Sequence, residues 1–284
     1  MAAERLIAKD VGGAWNITNL GAILFANDIN QFDASMARKA VRFVAYAGKG
    51  KADTVTHRHD GKKGYASGFE GLVGYINGLL PANEHIGAAL RQKQPLFPEL
   101  AIRELVANAL IHQDMTISGA GPQVELFADR IEITNPGRSL LPADRMIDLP
   151  PRSRNEMLAS LMRRMGICEE QGSGLDKVVT SIELYQLPPL KIQTEETSTQ
   201  AILYGPRSFA DMNRSERVRA CYQHAVLKWL SGLKMKNSTL CERFGIDKRN
   251  AAQVSQVLNA AMDEGHIKIA DPEHPRGGYS PWWA

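Results

Sequence analysis

Cysteine is scarce in this chain of 284 residues. The three that occur, Cys168, Cys221 and Cys241, stand far apart with neither pairing nor metal-ligand spacing. That excludes a disulfide framework and a cysteine metal site, and it points to reduced thiols in the cytosol. No apolar run reaches membrane-spanning length, and the opening MAAERLIAKD lacks the apolar stretch of a signal peptide. A cytoplasmic chain with no membrane contact is therefore expected. Proline and glycine are scattered rather than clustered, which excludes large-scale disorder. Charge of one sign is modest too: a net charge of +3 and a pI near 8.7 permit nucleic-acid binding without requiring it. What is present is ordinary for a globular protein, 44% apolar and 23% charged, with length enough for two or three domains.

The richest stretch is FPELAIRELVANALIHQD, residues 97–114. Pro98 suits a first helical position, and Glu99 puts a negative charge where the helix dipole favours one. Ile102, Leu105, Val106 and Ala109 recur at i, i+3, i+4 and i+7, giving one apolar stripe. Glu104, Asn108 and His112 fall four apart on a neighbouring stripe, so their side chains emerge in a row. A helix that only packs has no need of a carboxylate, an amide and an imidazole beside its buried face.

Ahead of it, ITNLGAILFA (17–26) reads as a helix and KAVRFVAYAG (39–48) as a strand. With only one clear strand, this part looks like the tail of a domain. KADTVTHRHDGK (51–62) is polar and loop-like, and its His57, His59 and Asp60 read as a solvated loop rather than a metal site. GFEGLVGYIN (68–77) begins a helix, and NEHIGAALRQKQ is either a strand or a short extended crossing. Beyond residue 118, Val124, Leu126, Ile131 and Ile133 alternate with polar residues about Ala128-Asp129-Arg130, the pattern of a hairpin with one buried face. It ends in the turn signal NPGRS (135–139). An amphipathic helix follows at 155–165, and Gly172 and Gly174 precede another; a glycine turn opening a helix suits phosphate. KIQTEE and QAILYG (191–205) look like two strands closing a sheet.

The last part reads as a separate unit: helix 215–230, short helix 238–244, a turn at Gly245-Ile246, helix 248–264, then strand HIKIA and a return through YSPWWA. That is the layout of a winged helix-turn-helix. From Met212 onward eleven Lys and Arg face seven Asp and Glu, more than the net positive charge of the whole chain. Lys248, Arg249, Asn250 and Gln253 open the third helix, where readers of base edges are expected. Dimerisation or packing is the other use of such a unit.

ELVANALIHQD, the hairpin ending DRIEITNPG, and RNEMLASLMRRMGICEEQGSGLDKV occur in an order that resembles the ATP-binding-type domain of RecG-like, Schlafen AlbA-domain transcriptional regulators. The resemblance covers most of the chain, including the TNLGAILFA opening and the tail. It implies an α+β fold: a GHKL-like (Bergerat) α/β sandwich at 67–210, preceded by the tail of an AlbA-type α/β domain at 1–66 and followed by the winged helix at 211–284. An AlbA-type domain ordinarily precedes this region in the family. The resemblance therefore implies such a domain as a partner in cis or in trans, with a shortened or naturally split chain here.

The central part is in turn similar to the GHKL ATPases, whose E-x-x-x-N box matches Glu104-Leu-Val-Ala-Asn108. Carried over, Glu104 would orient and deprotonate the attacking water, and Asn108 would complete the coordination of Mg2+. The adenine-binding D-x-G-x-G becomes Asn135-Pro-Gly137-Arg-Ser139. Asn135 can accept the bond from adenine through its carbonyl oxygen, but without charge and so more weakly. The lid would run over 140–171 to the phosphate turn Gly172-Ser173-Gly174, with Arg152 and Arg154 reaching phosphates. A helicase motor does not follow, because the chain lacks a G-x-x-x-x-G-K-[ST] loop. Three readings result. The first is an ATP- and Mg2+-dependent switch with weak ATPase activity, acting on double-stranded DNA and allowing a homodimer. The second is a nucleotide-independent DNA-binding regulator on a degenerate GHKL scaffold. The third is a subunit of a nucleic-acid-targeting defence assembly.

Overall fold

A computed structural model describes residues 1–86, 91–168 and 174–284, with side chains described outside 82–94. It opens on a small antiparallel hairpin, β1 (Ile7–Lys9) and β2 (Trp15–Ile17), and the helix α1 (Asn19–Phe25), which Thr18 caps by accepting from the Gly21 N–H at 3.1 Å. After the short α2 (Ala34–Ala37) come the antiparallel strands β3 (Arg42–Tyr46) and β4 (Val55–Asp60). The 51–62 stretch, expected as a loop, is thus half strand. All six residues of β4 are exposed, so it carries none of the apolar alternation that reveals a half-buried strand. Residues 1–66 consequently hold β1, β2 and β4 besides the one strand expected. The main sheet runs across the expected division at residue 66.

The helix α3 (Tyr65–Leu79) leads into β5 (Ala82–Ile86) and β6 (Arg91–Pro95), which pair antiparallel. The described residues of the undecided stretch, 83–86 and 91–94, are therefore extended. Then come α4 (Glu99–His112), the hairpin β7 (Gln123–Leu126) and β8 (Arg130–Pro136), α5 (Glu156–Arg164), α6 (Gly174–Leu184), and the hairpin β9 (Lys191–Thr194) and β10 (Ser198–Tyr204). Six strands form one sheet in the order β4-β3-β7-β8-β10-β9, antiparallel except where β3 runs parallel to β7. Asn135 and Pro136, expected in a turn, are the last residues of β8; Asn135 and Pro136 pair with Thr199 and Ser198. A proline that ends a strand loses one ladder bond only.

α4 packs against β8, α3 and α6. Its expected stripe Ile102, Leu105, Val106 and Ala109 is fully buried, and Ala101, Leu110 and Ile111 join it. Each Ile, Leu or Val side chain so removed from water stabilises the fold by about 1.5–3 kcal/mol. Pro98 sits one place earlier than expected, as the N-cap with φ −63°. At the other end Asn155 donates from Nδ2 to the carbonyls of Ile111 and Gln113 at 2.8 and 2.7 Å, satisfying groups the helix cannot.

The last part contains α7 (Arg214–Leu230), α8 (Asn237–Phe244), α9 (Ala251–Asp263) and a hairpin of β11 (Ile267–Ile269) and β12 (Tyr279–Pro281). Asn213 and Glu216 make a reciprocal capping box on α7. Lys248, Arg249 and Asn250 form a separate 3-10 turn capped by Asp247, so α9 begins at Ala251 rather than at Lys248. α8 is capped from Lys236, whose N–H donates to the Thr239 hydroxyl at 3.2 Å. The helices are not a loose appendage: Gln223 donates to the Leu190 carbonyl at 2.8 Å and Arg243 to that of Leu187 at 2.7 Å. Among the described residues no helix is long and apolar enough to cross a membrane.

Candidate functional site

The α4 row opens into a cavity of about 910 Å³. Glu104, Asn108 and His112 all line it, because a spacing of four keeps them on one helical face. Ile133 and Asn135 of β8, Ile192 of β9, and Thr199 and Ala201 of β10 supply the sheet side. The far wall is the 139–168 segment, with Met146, Leu149, Arg152, Arg154 and Arg163 among its contributions.

Glu104 is only 1% exposed and lies under the first turn of α6. A Cβ added to Gly174 would stand 3.0 Å from its Oε2, so the glycine lets α6 come down onto the carboxylate. Asn108, one turn on, is half-buried. His112 reaches the wall segment and hydrogen-bonds the Arg152 backbone. Burial, the larger influence, and the Arg154 charge push its pKa down, with that hydrogen bond pulling the other way. His112 therefore braces the loop that carries Arg152.

Asn135 is buried and uses its Nδ2 on the Pro136 carbonyl at 3.2 Å, which leaves its carbonyl oxygen as acceptor. Gly137 does not reach the cavity wall. Its φ is +99°, and a Cβ there would fall 2.6 Å from the Asp114 Cβ, so only glycine is accommodated. It ties β8 to its neighbour, donating to the Thr197 carbonyl at 2.7 Å and accepting from the Thr199 hydroxyl at 2.8 Å. Asp114 alongside has a lowered pKa, chiefly because its carboxylate accepts from the Thr116 hydroxyl and N–H. Arg154 donates to the Arg138 carbonyl at 2.6 Å and lies 3.9 Å from Asp114. Arg152 is exposed at the mouth.

Of the expected site residues, the structure brings Glu104, Asn108, Asn135, Arg152, Arg154 and Gly174 to one cavity and leaves Gly137 behind the wall. Gly172 and Ser173 lie outside the described residues. Sequence reading missed Arg163. The signal was available, because Glu156, Ala159, Ser160 and Arg163 stand at i, i+3, i+4 and i+7 and all line the cavity. Away from the cavity, Lys248, Arg249 and Asn250 of the 3-10 turn and Gln253 in the first turn of α9 are all exposed, and Arg249 is 3.3 Å from Asp247. No three of His, Cys, Asp or Glu among the described residues stand close enough to hold a metal ion, and this includes His57, His59 and Asp60.

Comparison with known proteins bears on the sheet half of this cavity. Residues 119–203 match the family model described as "Putative ATP-dependent DNA helicase recG C-terminal". The matched span carries β7 to β10, the wall segment and Gly174, though not α4 with Glu104 and Asn108. It supports the RecG-like, GHKL-type reading at the level of the family and makes an α/β ATPase-like fold the fitting description of the sheet and its helices. Over 96% of its length the chain also follows the crystal structure of the DIP2311 protein from Corynebacterium diphtheriae, with a TM-score of 0.59 at 18% identity. At that identity the likeness is one of fold. This chain spans 55% of that protein. No curated protein matches it.

Proposed function

We propose that this chain is a cytoplasmic, nucleotide-responsive DNA-binding regulator, in which ATP occupies the α4 cavity and alters how the tail engages double-stranded DNA. One observation carries the reading: a single cavity, within and beside the segment matched by the RecG-like model, gathers Glu104, Asn108, Asn135, Gly174 and three arginines. The donors suit the ligand. Arginine forks match phosphate oxygens, the Asn135 carbonyl can accept from an adenine amino group, and the α6 N-terminus favours an anion. The amide oxygen of Asn108 is a hard donor of the kind Mg2+ takes together with phosphate oxygens and water. A bound Mg2+ would neutralise phosphate charge; Glu104 would orient water as general base, giving at most a weak ATPase.

The tail supports the second half. Helix, short helix, turn, longer helix and hairpin is the winged helix-turn-helix layout, and the exposed Lys248, Arg249, Asn250 and Gln253 stand where such units meet DNA. An AlbA-type domain in cis or in trans, and a second copy of the chain, are the further partners of this reading.

One observation favours a nucleotide-independent scaffold instead. Glu104 is buried against Gly174, a position that braces α6. A thermal-shift titration separates the two. With ATP and Mg2+ at about 100 times the dissociation constant, the native state gains roughly 2.7 kcal/mol and the melting temperature rises. Glu104→Ala is expected to keep that rise while abolishing phosphate release. An unshifted melting temperature at millimolar ATP would reduce the cavity to a scaffold.

A further inference from the structure

The wall of the cavity is not free-standing. Met146 and Leu149 face the cavity, and between them and the sheet edge the chain makes a 3-10 turn at Ala143–Arg145 that packs on β9. This turn is gripped by the far end of the molecule. Arg145 donates to Asp148 as a fork, at 2.9 Å from Nε and 2.6 Å from Nη2, and its guanidinium lies 4.3 Å above the Trp283 ring and 5.8 Å from that of Trp282. Trp283 donates from Nε1 to the Tyr222 hydroxyl at 3.1 Å, and that hydroxyl donates to the Asp144 carbonyl at 2.7 Å. Tyr222 belongs to α7 and the tryptophans follow β12, so both ends of the last unit converge on one turn of the cavity wall.

We propose that Arg145 is the joint through which the cavity and the last unit sense one another, holding the wall turn to Tyr222 and Trp283 in one setting that nucleotide entry must change. The geometry gives the reason. Arg145 does not line the cavity, whereas Met146, its neighbour, does. A ligand that moves Met146 and Leu149 drags Arg145 across the Trp283 face and strains the Tyr222 bridge. A stacked, forked guanidinium has a narrow range of good positions, so the contact breaks or reforms instead of stretching. Coupling of this kind is reciprocal: whatever nucleotide does to the tail, a ligand on the tail does to nucleotide affinity by the same factor.

The inference rests on the nucleotide reading above, and the test keeps the two apart. The chain has four tryptophans. In the full chain carrying Trp15→Phe and Trp229→Phe, the emission comes from Trp282 and Trp283. ATP with Mg2+ is titrated against emission and, in parallel, against melting temperature. The parent is expected to give a saturable emission change over the same concentrations that raise the melting temperature. With Arg145→Ala the rise persists and the emission change falls at least fivefold. Arg145→Lys keeps the charge without the planar fork and follows Arg145→Ala. If Arg145→Ala does not fold, Tyr222→Phe, which removes only the bridging hydroxyl, stands in for it with the same expected loss of response. A melting shift without an emission change in the parent overturns the joint and leaves the nucleotide site standing. An emission change that survives in Arg145→Ala or its stand-in overturns it too. Neither a melting shift nor an emission change overturns both readings together.

Discussion

His112 has the right spacing for a cavity residue and the wrong charge for a phosphate ligand. With its pKa pushed below the ordinary 6.5, first by burial, it is neutral near physiological pH. The unfolded chain binds the proton more readily than the folded one, so stability is lost as pH falls from about 6.5 through the lower folded value. His112→Gln is therefore expected to flatten the fall of melting temperature across that window, and a profile that keeps the wild-type slope would count against it. Gly137 makes a sharper case. Gly137→Ala would force a side chain onto a φ of +99° and into the Asp114 Cβ. Backbone strain of that kind costs of order 1–3 kcal/mol, with the clash to be added. Denaturant unfolding is the measurement, and an unchanged midpoint would refute the argument. The cavity residues of α4 were legible because one helix carries them at a fixed interval. Gly137 was legible as a glycine but not as a strand tie, since its role depends on Asp114 and Thr199, which sequence alone does not bring near it.

The elements were read correctly where periodicity is strong and missed where it is weak. α4 and the β7–β8 hairpin have buried faces whose spacing is visible. β4 is exposed throughout, and β5 and β6 offered no alternation to choose by. The start of α9 shows a related limit. Lys248–Asn250 continue the polar pattern of the helix, but the Asp247 carboxylate accepts from the Arg249 N–H at 2.9 Å and closes a 3-10 turn first. The turn holds Lys248 and Arg249 at the exposed end of the helix, where phosphate contact is geometrically open. If both touch phosphate, Lys248→Ala with Arg249→Ala should flatten the plot of log affinity against log salt by about 1.8, from a slope near 0.9 per contact on duplex DNA. An unchanged slope would take both residues off the contact surface.

For the whole molecule the question is what makes the sheet and the last three helices one body. A further connection, besides the Arg145 turn and the bond from Gln223 to the Leu190 carbonyl, is buried. Glu183 near the end of α6 sits 2.9 Å from the His224 Nδ1 of α7 and 3.4 Å from the Arg243 Nε of α8, and His224 Nε2 lies 3.1 Å from the Thr239 hydroxyl. Arg243 is nearly sealed from water, and burial pulls its pKa down while Glu183 opposes the shift. A guanidinium so placed depends on its carboxylate. Glu183→Ala leaves the cation buried without a carboxylate, with the Leu187 carbonyl still accepting from it, a loss of about 3–5 kcal/mol for a broken buried pair. Because the three partners lie on different helices, the loss falls on the junction rather than within either unit. Calorimetry of Glu183→Ala is thus expected to split one unfolding transition into two, the last helices melting first. A single transition shifted downward as a whole would mean that the apolar contacts of α6 with α7 suffice to hold the halves together. Glu183 would then be a local brace like Asn155.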